Sequence, residues 1–160
     1  MDILHPDNSA KREEIVALLE QAYWMEMETV MSYTANSINP DGMRADPVRA
    51  SLLQDIQEEL GHAQQFGRRI KALYGTVPGS KQFKASQDAL QPPADAIDIV
   101  HVIKGVIEAE RGAIEHYNRL LEVCADADPV TEDMVITILA DEQDHLRTFE
   151  GFLRDYEAGA

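Results

Sequence analysis

Apolar residues recur at helical spacing through four long stretches of the chain, and no stretch shows the alternation of a strand. The first runs over about 9–38, with Ile15, Leu18, Leu19, Ala22, Tyr23, Val30 and Tyr33 in one stripe and Asn8 or Ser9 as its cap. Residues 1–8 read as an unstructured lead-in. Asn39-Pro40-Asp41-Gly42 is a turn, and Asp46-Pro47 combines a cap with proline at the first helical position. The second helix covers about 47–74, with Leu52, Ile56, Phe66, Ile70 and Leu73 on one face and Gly75 after it. Pro78, Gly79, Pro92 and Pro93 interrupt 75–94. A third helix follows over about 95–125, striped by Ile99, Ile103, Val106, Ala113, Ile114, Tyr117, Leu121 and Cys124. Asp128-Pro129 repeats the cap-plus-proline signal for a fourth, over about 129–157, with Val135, Ile138, Leu139, Phe149, Phe152 and Leu153. Four helices of about 28 residues, each about 42 Å long, predict an all-α four-helix bundle, read as a single domain over 1–160. The 75–94 link reaches about 60 Å if extended, enough to cross the bundle end to end between helices two and three.

Polar residues interrupt these stripes at six places, and the interruptions form a pattern. Glu59-x-x-His62 recurs 83 positions later as Glu142-x-x-His145. Ahead of the first copy stands Glu26-x-x-Thr29-Val30-x-x-Tyr33, and ahead of the second Glu110-x-x-Ala113-Ile114-x-x-Tyr117. Phe66 and Phe149 follow the two histidines at the same distance. The chain is therefore two copies of one unit, a helix with an inward Glu and then a helix with an inward Glu-x-x-His. Residues three apart share a helix face, so each Glu-x-x-His can grip one cation. Counted from the turns, all four glutamates fall near mid-helix, at about one height inside the core.

Four buried carboxylates repel one another unless positive charge lies among them. Two divalent cations would neutralise them, with one imidazole nitrogen for each. Oxygen-rich ligation with two imidazoles suits iron, with manganese as the alternative. Glu26, Glu59, His62, Glu110, Glu142 and His145 are thus the expected metal ligands. Glu58 and Asp141, each next to a ligand glutamate, can accept from a histidine N–H or lie in solvent. Tyr33 and Tyr117 share the ligand face as core residues with bonded hydroxyls, and Tyr33 is also the candidate for a catalytic, redox role. Glu28, Glu108 and Glu115 fall off the stripes. His5, His101 and His116 lack such partners and read as ordinary, and Trp24 and the methionines as filler.

A net charge of −15 argues against a basic nucleic-acid-binding face and favours attracting cations. No apolar run approaches a membrane span, and the first residues have no signal-peptide form. Cys124 is the sole cysteine, which excludes an intrachain disulfide and a Cys-based metal site and fits a cytoplasmic setting.

The motifs around Glu26, Glu58-Glu59-x-x-His62-Ala63, Glu110 and Asp141-Glu142-x-x-His145 make the chain resemble the ferritin-like superfamily over about 9–157, and within it the bacterioferritins and Dps-like mini-ferritins. The resemblance implies a ferritin-like bundle and an intrasubunit di-iron ferroxidase centre. There Glu59 and Glu142 bridge the metals, while Glu26 with His62 and Glu110 with His145 are the outer pairs. It implies ferrous iron and dioxygen or peroxide as partners, for iron storage or detoxification. Where bacterioferritins place a haem-ligating Met, this chain has Leu60, so no haem is expected. The chain stops about fifteen residues after His145, which leaves no room for the fifth helix of 24-subunit shells. A twelve-subunit shell or a dimer is expected instead. Archaeal-type mini-ferritins carry a cysteine pair near the site that this chain lacks. The alternatives are a rubrerythrin-like di-iron or di-manganese peroxidase or oxidase, and a bundle in which metal only holds the core.

Overall fold

The computed structural model describes residues 1–159, and no strand occurs among them. Four long helices carry the fold: α1 (Ser9–Ile38), α2 (Asp46–Ala72), α3 (Ile99–Cys124) and α4 (Pro129–Ala158). The expected all-α bundle with a long crossover between α2 and α3 is what forms.

Neighbouring helices run antiparallel. The start of α2 meets the end of α1 where Arg49 Nε donates to Ser37 O at 2.9 Å. On α3 and α4, Lys104 pairs with Glu157 and Arg111 with Glu150. His116 on α3 bonds Leu18 O on α1, and Arg69 near the end of α2 reaches Asp128 at the head of α4. The crossover does traverse the bundle. It leaves the end where Leu73 packs with Ile3 and Ile15, and arrives at the end where Leu90 packs with Val48 and Ile99.

Helix ends follow local chemistry. Asp128 caps α4 by accepting from Thr131 N, as its sequence signal implies. Helix α2 stops at Ala72, two residues early, because Tyr74 takes the left-handed conformation at φ 67°. Tyr74 N then bonds Lys71 O and Gly75 N bonds Ile70 O, the two bonds of a Schellman ending. A Cβ at Gly75 would press on Ile70 and Val16, so glycine is needed there.

Three boundaries depart from the sequence expectation. Helix α3 begins at Ile99, because Asp95 accepts from Ile97 N in a turn and Asp98, which caps His101 N, is the true start. Asp46 is helical rather than a cap, since the 3-10 turn Met43–Ala45 feeds directly into α2. Residues 1–8 are ordered, with Pro6–Asn8 in a 3-10 turn, Ile3 buried and its carbonyl held by Arg12 Nη1 at 2.9 Å.

Apolar packing forms two clusters. One gathers Ile15, Leu19, Phe66, Ile70, Leu120, Val135 and Ile138, and the other Val48, Leu52, Ile99, Ile103, Val106 and Phe149. Each apolar stripe yields to glutamate and histidine at mid-helix, so a polar layer lies between the clusters.

Candidate metal centre

All six candidate residues converge in that layer and all are buried. Each helix supplies one glutamate, and α2 and α4 add a histidine one turn on. Two four-residue groups result: Glu26, Glu59, His62 and Glu142, and Glu59, Glu110, Glu142 and His145. In each, one oxygen or nitrogen per residue lies within 4.8 Å of the others. Glu59 and Glu142 belong to both.

The distances explain the sharing. Glu59 Oε2 lies 3.4 Å from His62 Nδ1, and Glu59 Oε1 lies 3.1 Å from His145 Nδ1. Glu142 mirrors it, with Oε1 at 3.1 Å from His62 Nδ1 and Oε2 at 3.4 Å from His145 Nδ1. Glu26 and Glu110 each serve one half, at 3.8 Å from His62 Nδ1 and His145 Nδ1 respectively. Both oxygens of Glu59, Oε1 of Glu142 and both Nδ1 atoms lack a hydrogen-bond partner of acceptable geometry. Buried polar atoms are rarely orphaned, and these all aim at a shared interior, which is what a pair of cations would satisfy.

A ring of hydrogen bonds fixes these side chains. Tyr33 on α1 donates to Glu110 on α3, and Tyr117 on α3 donates to Glu26 on α1. His62 Nε2 donates to Asp141 at 3.0 Å, and His145 Nε2 donates to Glu58 at 2.9 Å. With Nε2 carrying the proton, a neutral ring turns the Nδ1 lone pair inward. The carboxylates next to Glu59 and Glu142 thus each serve the histidine of the opposite helix, the first of the two roles open to Glu58 and Asp141.

Burial raises the carboxyl groups of Glu26 and Glu110 well above the carboxylate range, and the charges of Glu142 and Glu59 add to the shift. Burial also opposes charge on the histidines, yet the close carboxylates of Glu142 and Glu59 outweigh it and lift His62 to about 10 and His145 to about 12. The same imidazoles hold Glu142 down at about 2 against its own burial. The layer therefore demands positive charge among its carboxylates, and imidazolium or metal can provide it.

Two functional-looking residues escape the sequence reading. Glu28 points away from the site, as its rotation from Glu26 requires, but it is buried rather than solvated. Its carboxylate accepts from Ser86 N, Ser86 Oγ and Gln87 N and pins the crossover to α1. Asp55, one turn before Glu59, is buried behind His145 with its Oδ1 3.8 Å from Nε2. Its spacing of four from Glu59 is the signal that could have found it. Among the described residues no helix is long and apolar enough to cross a membrane.

Comparison with known proteins agrees with this fold. The family model described as "Ferritin-like domain" matches residues 16–158. The chain is 26% identical over 141 residues to a bacterioferritin of Desulfovibrio desulfuricans, covering 88% of this chain and 74% of that one. It is 26% identical over 151 residues to a DNA protection during starvation protein of Pyrococcus furiosus, covering 92% and 80%. Among solved structures, the Desulfovibrio desulfuricans bacterioferritin, studied for its diiron site in different catalytic states, superposes with a TM-score of 0.80 at 24% identity, over 94% and 84% of the two chains. The bacterioferritin-related dodecameric thioferritin of Bacteroides fragilis does so with 0.84 at 24% identity, over 92% and 88%. At these identities the structural matches speak for the fold.

Proposed function

The chain belongs to the ferritin-like domain family, and from that premise we propose that it is a ferroxidase serving iron storage or detoxification. The observation that carries this reading is the disposition of Glu59 and Glu142. Each presents one oxygen to each histidine Nδ1, the geometry of a carboxylate that bridges two cations. Glu26 with His62 and Glu110 with His145 complete the two halves.

Two ferrous ions held there would each give up one electron, and the two electrons with two protons would reduce dioxygen to hydrogen peroxide or hydrogen peroxide to water. The protein's own groups do the rest. Glu59 and Glu142 set the spacing of the two positions. Tyr117 and Tyr33 orient the outer carboxylates of Glu26 and Glu110. Asp141 and Glu58 keep Nε2 protonated, so Nδ1 remains a donor to metal. The apolar clusters above and below keep bulk water from the layer. Oxygen-dominated ligation leaves manganese as the competing metal.

The Bacteroides fragilis relative is named a dodecameric thioferritin, which supports a homo-oligomer, and we place twelve subunits ahead of a dimer. Cys124 supports a cytoplasmic setting. It is buried, and burial pushes its thiol up to about 12, so it is unreactive.

The deciding experiment is aerobic loading with excess ferrous salt, gel filtration, and iron counted per chain. Tens of ions per chain in a large particle support a storage shell, and about two support an oxidase without storage. No retained iron and no oxidation overturns the proposal.

A further inference from the structure

A cavity of about 680 Å³ lies between α1, α3 and the crossover. Small side chains make room for it on the α3 wall. Gly105, Ala109 and Gly112 recur there at spacings of four and three, along one face of the helix. At Gly105 the space is taken, since a Cβ would collide with Ala89 O of the crossover. At Gly112 it is open, and a Cβ would meet no atom within 4 Å. The α1 wall carries Trp24, the only tryptophan of the chain. Its ring centroid lies 5.3 Å from that of Tyr23 and 5.3 Å from that of Phe83 on the crossover, so the indole is braced from both elements.

Charge on these walls is one-sided. Glu20 and Glu28 of α1, Asp88 of the crossover and Glu108 of α3 stand against Lys84 alone, and none of the five forms an ion pair with a described residue. Lys104 and Arg111, a turn either side of Glu108, are engaged by Glu157 and Glu150 of α4 instead. Glu28 is only 4% exposed, and its donors are the neutral groups of Ser86 and Gln87, so its charge has no counter-ion within the protein. A bare metal ion does not answer this charge. Among the described residues, no three carboxylates of this cavity converge as those of the polar layer do. A larger cation does answer it, with its charge toward the spread carboxylates and its apolar part on Trp24, Met25 and Ala109.

We propose that this cavity binds a small organic cation, an ammonium or amidinium on a flat apolar body. The body lies against Trp24 and over Gly112, and the charge faces Glu20, Glu28 and Glu108. The ligand rests on the turns of α1 and α3 that carry the outer glutamates, since Met25 precedes Glu26 and Ala109 precedes Glu110. The site shares no residue with the six of the polar layer and stands whether or not they hold metal.

Trp24, as the sole indole, reports occupancy directly. The test titrates the full chain with three probes of one shape, the cation phenethylammonium, the neutral phenethyl alcohol and the anion hydrocinnamate, and follows tryptophan fluorescence. The expected result is a saturable change with the cation, affinity for the alcohol weaker by about tenfold, the worth of one favourable charge contact, and no response to the anion. Gly112→Leu fills the open floor and should abolish the response. Glu20→Gln combined with Glu108→Gln should weaken the cation by about tenfold and erase its advantage over the alcohol. Circular dichroism melting confirms that each variant folds, and the glutamate pair keeps the test open if Gly112→Leu does not. No saturable response, equal affinity for cation and alcohol, or a response that survives Gly112→Leu in folded protein overturns the proposal. So does a cation preference that persists without Glu20 and Glu108.

Discussion

Tyr33 on α1 donates its hydroxyl to Glu110 on α3 at 2.5 Å, and Tyr117 on α3 returns the same bond to Glu26 on α1. Each tyrosine lies seven positions after one outer glutamate and holds the other. The sequence repeat places both tyrosines on the ligand face, but only the packing of α1 against α3 shows that they serve each other's glutamate. The reciprocity separates two roles. If both hydroxyls only position carboxylates, Tyr33→Phe and Tyr117→Phe cost alike, about 1–3 kcal/mol of stability for a buried acceptor left unpaired. Their ferrous oxidation rates then fall by similar factors. If Tyr33 has a redox role, its variant alone loses rate beyond what its stability loss explains. Stopped-flow oxidation and thermal unfolding of the pair decide between these.

Glu59→Ala removes oxygens that face both halves, whereas Glu26→Ala removes one outer carboxylate. The first should therefore abolish binding of a metal pair, leaving at most about one ion per chain, and the second should weaken one position. Equilibrium dialysis with manganous ion reads the stoichiometry. Retention of a full pair by Glu59→Ala would show that the bridging assignment is wrong.

Glu28→Gln should loosen the crossover without disturbing the polar layer. The carboxylate accepts from two consecutive backbone N–H groups, of Ser86 and Gln87, and an amide provides one neutral oxygen in place of two charged ones. A stability loss of about 1–2 kcal/mol follows from weakening buried, charge-assisted bonds. Hydrogen exchange at the Ser86 and Gln87 amides should quicken, while manganese stoichiometry stays as in the natural protein. A change in stoichiometry with unaltered exchange would contradict the separation of these two sites.

The bundle and its six converging residues were legible because helical periodicity is local and the repeat is long. A glutamate inside an apolar stripe announces its own burial, and Glu26, Glu59, Glu110 and Glu142 all do. Glu28 gives no such sign. Together with Ser32 and Asn36 it forms a polar stripe on α1 that reads as solvated and is in fact buried. The crossover lies there, held by Glu28 and by Asn36 Nδ2 donating to Leu90 O. No local pattern reveals that a distant segment will cover a polar face. The start of α3 failed for a different reason: Asp95 and Asp98 are equally good caps in sequence, and the turn that Asp95 forms with Ile97 decides between them. The exchange of Asp55 for Ile138 in the repeat was visible in the letters, but the cavity that Asp55 lines behind His145 was not.

Acid stability should depend on Asp128, which lies away from the polar layer. Asp128 is buried at the head of α4, where Arg69 Nη2 donates to it at 2.6 Å and Thr131 donates through both N–H and hydroxyl. Burial opposes its charge, but these bonds outweigh burial and hold the carboxyl below its usual value of 3.8. A carboxyl depressed in the folded protein binds its proton less readily than in the unfolded chain. It therefore adds stability at pH values above the unfolded value, and that contribution fades as pH falls through the folded one. Asp128→Ala should cost about 3 kcal/mol at pH 7, since it strands the Arg69 guanidinium and removes the cap. The gap between variant and natural protein should narrow once pH drops below about 4. Urea midpoints for both proteins, at one protein concentration across pH 3 to 7, measure it. A gap independent of pH would mean that Asp128 acts through packing rather than through its charge.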